Sequence, residues 1–370
     1  MDKTCVDVFF ELVRAGLWGT EAQLASYGEV DYSAVLEQAT DQSLIGLVAA
    51  GLEQVKDVKV PQTSVLQLIG QTLQIEQRNK AMNAFIALLI ERMRAAGIYT
   101  LLVKGQGIAQ CYDKPLWRSS GDVDLFLSAD NYIKAKDCLL PLASSVEEEY
   151  VREKHLGLNI DGWIVELHGH LYCGLSSKVE KELDALQQDT FCGGQVRSWM
   201  NGKCQVFLLK AENDAFYVFS HILQHFYKGG IGLRQICDWC RLLWTYRDSL
   251  NDKLLEQRIK RSGLMSEWQA FGAFAVDYLG MPADAMPFYS SDKKWSRKAK
   301  RICSFVMEVG NFGHNRDNTY YDKPFIVRKF KSFGRRCGDL ARHARIFPLD
   351  SLRFFPNILF NGLRSAARGE

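Results

Sequence analysis

From Arg118 to Leu127 the chain reads Arg-Ser-Ser-Gly-Asp-Val-Asp-Leu-Phe-Leu, with Val123, Leu125 and Leu127 alternating with Asp122, Asp124 and Phe126. A period of two belongs to a β-strand and not to a helix. The chain must therefore build a sheet around this segment, and the same period puts Asp122 and Asp124 on one face. Two carboxylates side by side repel each other unless a cation lies between them. Oxygen-only ligands favour Mg²⁺ or Mn²⁺. A metal pair held in this way can clamp the attacking and leaving oxygens of a phosphoryl or nucleotidyl transfer. An exposed strand end with two solvated aspartates fits the same residues, so the flanking sequence carries the argument further.

Upstream, Tyr99–Val103 reads as a buried strand running into Lys104-Gly105-Gln106-Gly107 and then a short helix over Ile108–Tyr112. Strand, glycine-rich turn and helix make a phosphate-binding arrangement, because glycines let backbone N–H groups approach an anion. The spacings of a Walker loop or a dinucleotide fingerprint are absent. Downstream, Ser128 is placed to cap a helix over Ala129–Ala143. The runs His155–Ile160 and Trp163–His168 flank Asp161-Gly162, a two-residue hairpin turn. That turn sets Ile160 opposite Trp163, Gly157 opposite Glu166 and His155 opposite His168, so Ile164, Glu166 and His168 share a face. Gly157 leaves room opposite Glu166. If this strand lies beside the aspartate strand, Glu166 becomes a third carboxylate. A surface hairpin with a polar outer face, its two histidines a cross-strand polar pair, is the plainer alternative.

In this order the segments resemble the DNA polymerase beta-like nucleotidyltransferase superfamily, and more narrowly its bacterial branch of uncharacterised nucleotidyltransferases. The resemblance is carried by Leu102–Ala109, Tyr112 with Pro115, Arg118 with Gly121–Leu125, and Val165–His168. Further likeness lies in Phe10–Trp18, in His221 and His225 followed by Leu233-Arg234 and Asp238, and in Gly310–His314. It implies that Asp122, Asp124 and Glu166 bind Mg²⁺ (or Mn²⁺), with Glu166 orienting the attacking group or acting as its base. It also implies that a nucleoside triphosphate lies over Lys104, Gly105 and Gly107, with Arg118 as a second phosphate clamp beside Ser120 and Gly121. The superfamily usually has a Gly-Ser pair where Lys104-Gly105 stands, so here the lysine must supply the phosphate contact by charge. His155, His168, His221, His225, Arg234 and His314 are candidates to face substrate.

The implied fold class is α+β: a small mixed sheet flanked by helices, with an N-terminal helical region and a C-terminal helical domain. The expected divisions are 1–96 helical, 97–207 catalytic, 208–319 helical and 320–370 a basic, aromatic-rich tail. Helices are expected over Lys210–Phe226, Leu233–Asp248 and, with breaks, Lys253–Leu279. His221 and His225 share a helical face, but Ile222, Leu223 and Gln224 between them lack the glutamate of a zinc-protease motif. Arg234 and Asp238, four apart, are spaced to pair on one helix. The tail has eleven Lys or Arg against four Asp or Glu, interleaved with Phe325, Phe330, Phe333, Phe347, Phe354, Phe355 and Phe360. It suits a membrane surface, an anionic partner or packing on the body.

With 370 residues, 47% of them apolar, the chain can bury a sizeable core, and a net charge of +3 excludes a polyelectrolyte. The ten cysteines have no framework spacing, which in a chain this long fits reduced thiols in the cytoplasm. The first residues do not read as a signal peptide, and no apolar run is long enough to span a bilayer. The leading expectation is a Mg²⁺-dependent nucleotidyltransferase that releases pyrophosphate and acts on an undefined acceptor (a small molecule, peptide or RNA). Its rivals are a kinase on the same scaffold, a non-catalytic nucleotide-binding protein, and a toxin-like enzyme that modifies tRNA or protein.

Overall fold

A computed structural model describes residues 3–194, 196–311 and 325–354. The amino-terminal part is helical: α1 (Lys3–Trp18), α2 (Tyr32–Asp41), α3 (Ile45–Leu52) and α4 (Gln62–Ala95). Asp31 caps α2 by accepting from the backbone N–H groups of Ser33 and Ala34. Helices α1 and α3 pack closely through glycines, since a Cβ on Gly16 or Gly51 would strike the facing backbone. The 34 residues of α4 span about 50 Å. Its carboxy-terminal half buries Met82, Ile86, Leu89, Ile90 and Met93 against the sheet.

The chain then lays down seven strands: β1 (Thr100–Val103), β2 (Val123–Leu127), β3 (Ser145–Val146), β4 (His155–Ile160), β5 (Trp163–His168), β6 (Val196–Asn201) and β7 (Cys204–Leu209). They form one mixed sheet in the order β3-β4-β5-β2-β1-β7-β6. Strand β2 is central, antiparallel to β1 and parallel to β5. The fold is thus α+β, as the sequence leads one to expect. Between β1 and β2 lies α5 (Gly105–Ala109). Helix α6 (Ala129–Leu139) follows β2, with Ser128 Oγ accepting from Asn131 N at 3.3 Å. Helix α7 (Ser177–Phe191) joins the hairpin to β6.

Both faces of β2 are buried, and its alternation divides the core. Val123, Leu125 and Leu127 join α4, α6 and the sheet in one apolar cluster. Phe126, with Leu101 and Val103 of β1, enters a larger cluster built by α1, α2 and α3 together with the helices that follow. The latter are α8 (Ala211–Lys228), α9 (Leu233–Tyr246), α10 (Asp252–Ser262), α11 (Met265–Asp277), α12 (Lys293–Val309) and α13 (Phe325–Ile346). Asp124 follows the parity of Phe126, so it points toward the α8 side.

Of the tail aromatics, Phe347 and Phe354 are buried, with ring centroids 6.2 Å from Phe226 and 5.0 Å from Tyr227 respectively. That stretch packs on the body. Phe355 and Phe360 lie outside the described residues, as does His314. The ten cysteines are free thiols. Among the described residues no helix is long and apolar enough to cross a membrane.

Candidate active site

The Asp161-Gly162 turn sets the hairpin register expected of it. Ile160 pairs with Trp163, Gly157 with Glu166, and His155 with His168. The parallel pairing of β2 and β5 then sets Asp124 beside Glu166 and Phe126 beside His168. Carboxylate oxygens of Asp122, Asp124 and Glu166 come within 4.8 Å of one another. Asp122 stands one residue ahead of β2. Lys104 Nζ lies 2.6 Å from Asp124 Oδ1, and His168 Nε2 lies 2.8 Å from the same oxygen. Glu166 Oε2 is 3.3 Å from His155 Nε2 and 3.4 Å from His168 Nε2.

The charges of this cluster act on one another. The charge of Asp124, together with burial, raises the Asp122 carboxyl above its ordinary range. Burial alone would raise Glu166 too, but hydrogen bonds from His155 and His168 hold it far below the usual carboxylate range. Burial works against the charged forms of Lys104 and His168. Asp124 and Glu166, joined at Lys104 by Asp122, together outweigh it, and both pKa values are raised. The donor set is all oxygen at Asp122, Asp124 and Glu166, and repulsion is visible at Asp122. These residues fit a hard divalent cation.

Lys104 is also strained. Its backbone lies at φ 56°, ψ −145°, a region that residues with a Cβ rarely adopt. Such a residue costs on the order of 1–3 kcal/mol and persists where its surroundings over-determine it. There is no separate glycine turn after β1, because α5 begins at Gly105 itself. The two glycines differ in purpose. Gly105 has φ +38°, with its missing Cβ 3.4 Å from Asp122 O. A Cβ on Gly107 would come within 2.8 Å of Leu208 Cδ2, so Gly107 serves close packing on β7. Gly121 has open space where a Cβ would stand. The room opposite Glu166 is not empty, because the Glu147 side chain fills the space beside Gly157.

Arg118 is engaged by Asp238 and Ser120. Its Nε and Nη2 donate to the two carboxylate oxygens of Asp238, at 3.0 and 2.5 Å, and its Nη1 donates to Ser120 Oγ at 2.9 Å. Tyr112 donates its hydroxyl to Asp238 Oδ1 at 2.8 Å. Asp238 therefore pairs with Arg118, 120 residues away, and not with Arg234 one turn back on α9. Arg234 donates Nη1 to Ser119 O at 2.8 Å, while its buried Nε has no hydrogen-bond partner. Burial and the nearby charge of Arg118 lower the Arg234 pKa. Asn79 of α4 donates to the carbonyls of Leu116 and Arg118, each at 2.8 Å, and accepts from Gln106 Nε2 at 2.7 Å. The amino-terminal helices thus fix the loop that delivers Asp122. A cleft of about 180 Å³ opens between α1, α3 and this loop. Arg118, Ser119 and Arg234 line it, and the three carboxylates do not.

Helix α8 faces the cluster with Tyr217, His221 and His225, spaced by four. His221 and His225 touch through their Nε2 atoms at 3.1 Å. Burial and the charge of Lys104 lower both, His221 well below its ordinary value and His225 to about 4. They stand beside the carboxylates as neutral rings. Tyr217 is buried, and burial raises its hydroxyl pKa. Its place one turn before His221 is a spacing signal that a sequence reading can use. Asn79 and the Arg118–Asp238 pair carry no comparable local signal. Gly310 ends α12 at φ +71°, and Asn311 bridges Gln235 Nε2 at 3.0 Å and Ser43 Oγ at 2.8 Å.

A sequence profile of a family described as uncharacterised nucleotidyltransferase matches residues 28–280, a span that takes in α2 through the end of α11 and every strand of the sheet. No curated protein and no solved structure matches the chain.

Proposed function

The chain belongs to this uncharacterised nucleotidyltransferase family, and from that premise we propose that it transfers a nucleoside monophosphate from a nucleoside triphosphate to an acceptor, with pyrophosphate leaving. One observation carries the reading. The β2–β5 register sets Glu166 beside Asp124, and with Asp122 their oxygens lie within 4.8 Å. Asp122, Asp124 and Glu166 would hold Mg²⁺ (or Mn²⁺), which supplies charge neutralisation to phosphoryl oxygens. Lys104, strained and paired with Asp124, is the phosphate contact nearest the metal ligands. Glu166 serves as a metal ligand, and the two imidazoles favour the ionised form that a ligand needs. Arg118 shapes the loop. Arg234 is the better candidate for a second phosphate contact, since Asp238 is already committed to Arg118.

Product analysis tests this reading. The chain is incubated with Mg²⁺, each ribonucleoside triphosphate and a small-molecule extract as the acceptor source. Pyrophosphate formation that disappears in Asp122→Asn is the expected result. Nucleoside diphosphate in its place would assign γ-phosphoryl transfer, and no turnover of any triphosphate would count against nucleotide chemistry.

A further inference from the structure

In nucleotidyl transfer through Asp122, Asp124 and Glu166, the two imidazoles beside Glu166 do no more than hold it ionised. His155 and His168 are directly opposed across the β4–β5 hairpin, so both leave the same face of the sheet. Their ring centroids are 4.9 Å apart. Glu166 sends Oε2 between them, 3.3 Å from His155 Nε2 and 3.4 Å from His168 Nε2. The three ligand atoms all lie within 4.8 Å of one another.

Those separations make weak N–H···O hydrogen bonds, just past the usual range that ends near about 3.2 Å. They match the spacing between ligands on a metal. With metal–ligand bonds of about 2.1 Å, the edge of a tetrahedron is about 3.4 Å. An ion can reach the group from solvent, because the side chains of His155 and Glu166 are each 25% exposed.

We propose that His155, Glu166 and His168 form a second metal site, one that takes Zn²⁺ and shares Glu166 with the all-oxygen site of Asp122 and Asp124. Donor chemistry separates the two. Imidazole nitrogen suits Zn²⁺, whereas Mg²⁺ takes oxygen and parts reluctantly with water. Mn²⁺ binds such donors more weakly than Zn²⁺. Three protein ligands leave a coordination position open, as in catalytic zinc sites. His168 Nε2 also contacts Asp124 Oδ1 at 2.8 Å, so an ion bound at that nitrogen replaces this contact and couples the two sites. The proposal goes beyond nucleotidyl transfer and stands without it, since the ion is measured with no nucleotide present.

The test is equilibrium dialysis of the full, chelator-treated chain against Zn²⁺ in excess Mg²⁺. One Zn²⁺ per chain is expected, weakened at least about 100-fold in His155→Gln, since a direct ligand is lost. His155→Cys keeps a zinc donor at that position and retains binding, which separates ligand loss from misfolding. His221→Gln leaves Zn²⁺ binding unchanged, excluding the His221–His225 pair as its seat. No Zn²⁺ held against Mg²⁺, undiminished binding in His155→Gln, or equal loss in His155→Gln and His155→Cys would each overturn the assignment.

Discussion

Arg118 of the Arg118–Asp238 brace and Asp122 of the Asp122–Asp124–Glu166 cluster stand on one loop, yet the charges of brace and cluster are arranged on opposite plans. In the brace one guanidinium meets one carboxylate through both oxygens, with Tyr112 and Ser120 completing the hydrogen bonds. In the cluster three carboxylates crowd together without one-to-one partners. Lys104 and His168 both contact Asp124, and the Asp122 carboxyl is raised by its neighbour's charge. A balanced buried pair holds structure. Carboxylates crowded within 4.8 Å without one-to-one partners mark a place made for a cation. Charge balance, and not the presence of charged residues, separates the two.

Removing one partner of the brace has the largest effect. Asp238→Ala leaves Arg118 buried without its carboxylate, and stability should fall by about 3–5 kcal/mol in denaturant unfolding. Asp122→Asn should cost no stability, because it relieves repulsion. Equal losses in the two variants would erase the distinction.

The neutral wall of α8 makes a second, smaller test. Folded His225 titrates at about 4, against 6.5 as its ordinary value. Between those pH values the unfolded chain binds more protons than the folded one, so stability falls as pH drops from 6.5 toward 4. The full loss from this group is about 3 kcal/mol. In His225→Gln the acid limb of stability against pH should be flatter over that window. An unchanged limb would mean that the ring charges freely in the folded state.

The smallest effect isolates the strain at Lys104. Both Lys104→Gly and Lys104→Ala remove the ion pair with Asp124, but only alanine keeps a Cβ at φ 56°, ψ −145°. The glycine variant should be the more stable by about 1 kcal/mol, measured by chemical unfolding. An alanine variant as stable as glycine would show that the backbone there is unstrained.

Much of the sheet was legible because its signals are local. The alternation in Val123–Leu127 announces a strand, and the Asp161-Gly162 turn fixes a register in which His155 meets His168. The parallel pairing of β2 with β5 was legible only as a condition, since nothing local dictates which strand lies beside the aspartates. Partner choice was the least legible. Arg234 has the helical spacing to pair with Asp238, but the pairing formed is tertiary, with Arg118. Asn79 on α4 gives no hint in sequence that it will tether Leu116 and Arg118. Gly107 has the look of a phosphate-loop glycine, yet its neighbour is Leu208 from a strand about a hundred residues later.

The most direct measurement is calorimetric titration of the chain with each ribonucleoside triphosphate, with and without Mg²⁺. Wild type is compared with the Asp122→Asn/Asp124→Asn double variant, after circular dichroism has shown that both are folded. The account predicts Mg²⁺-dependent binding of a triphosphate to wild type and its loss in the double variant. Equal binding by the two proteins, or binding indifferent to Mg²⁺, would contradict it.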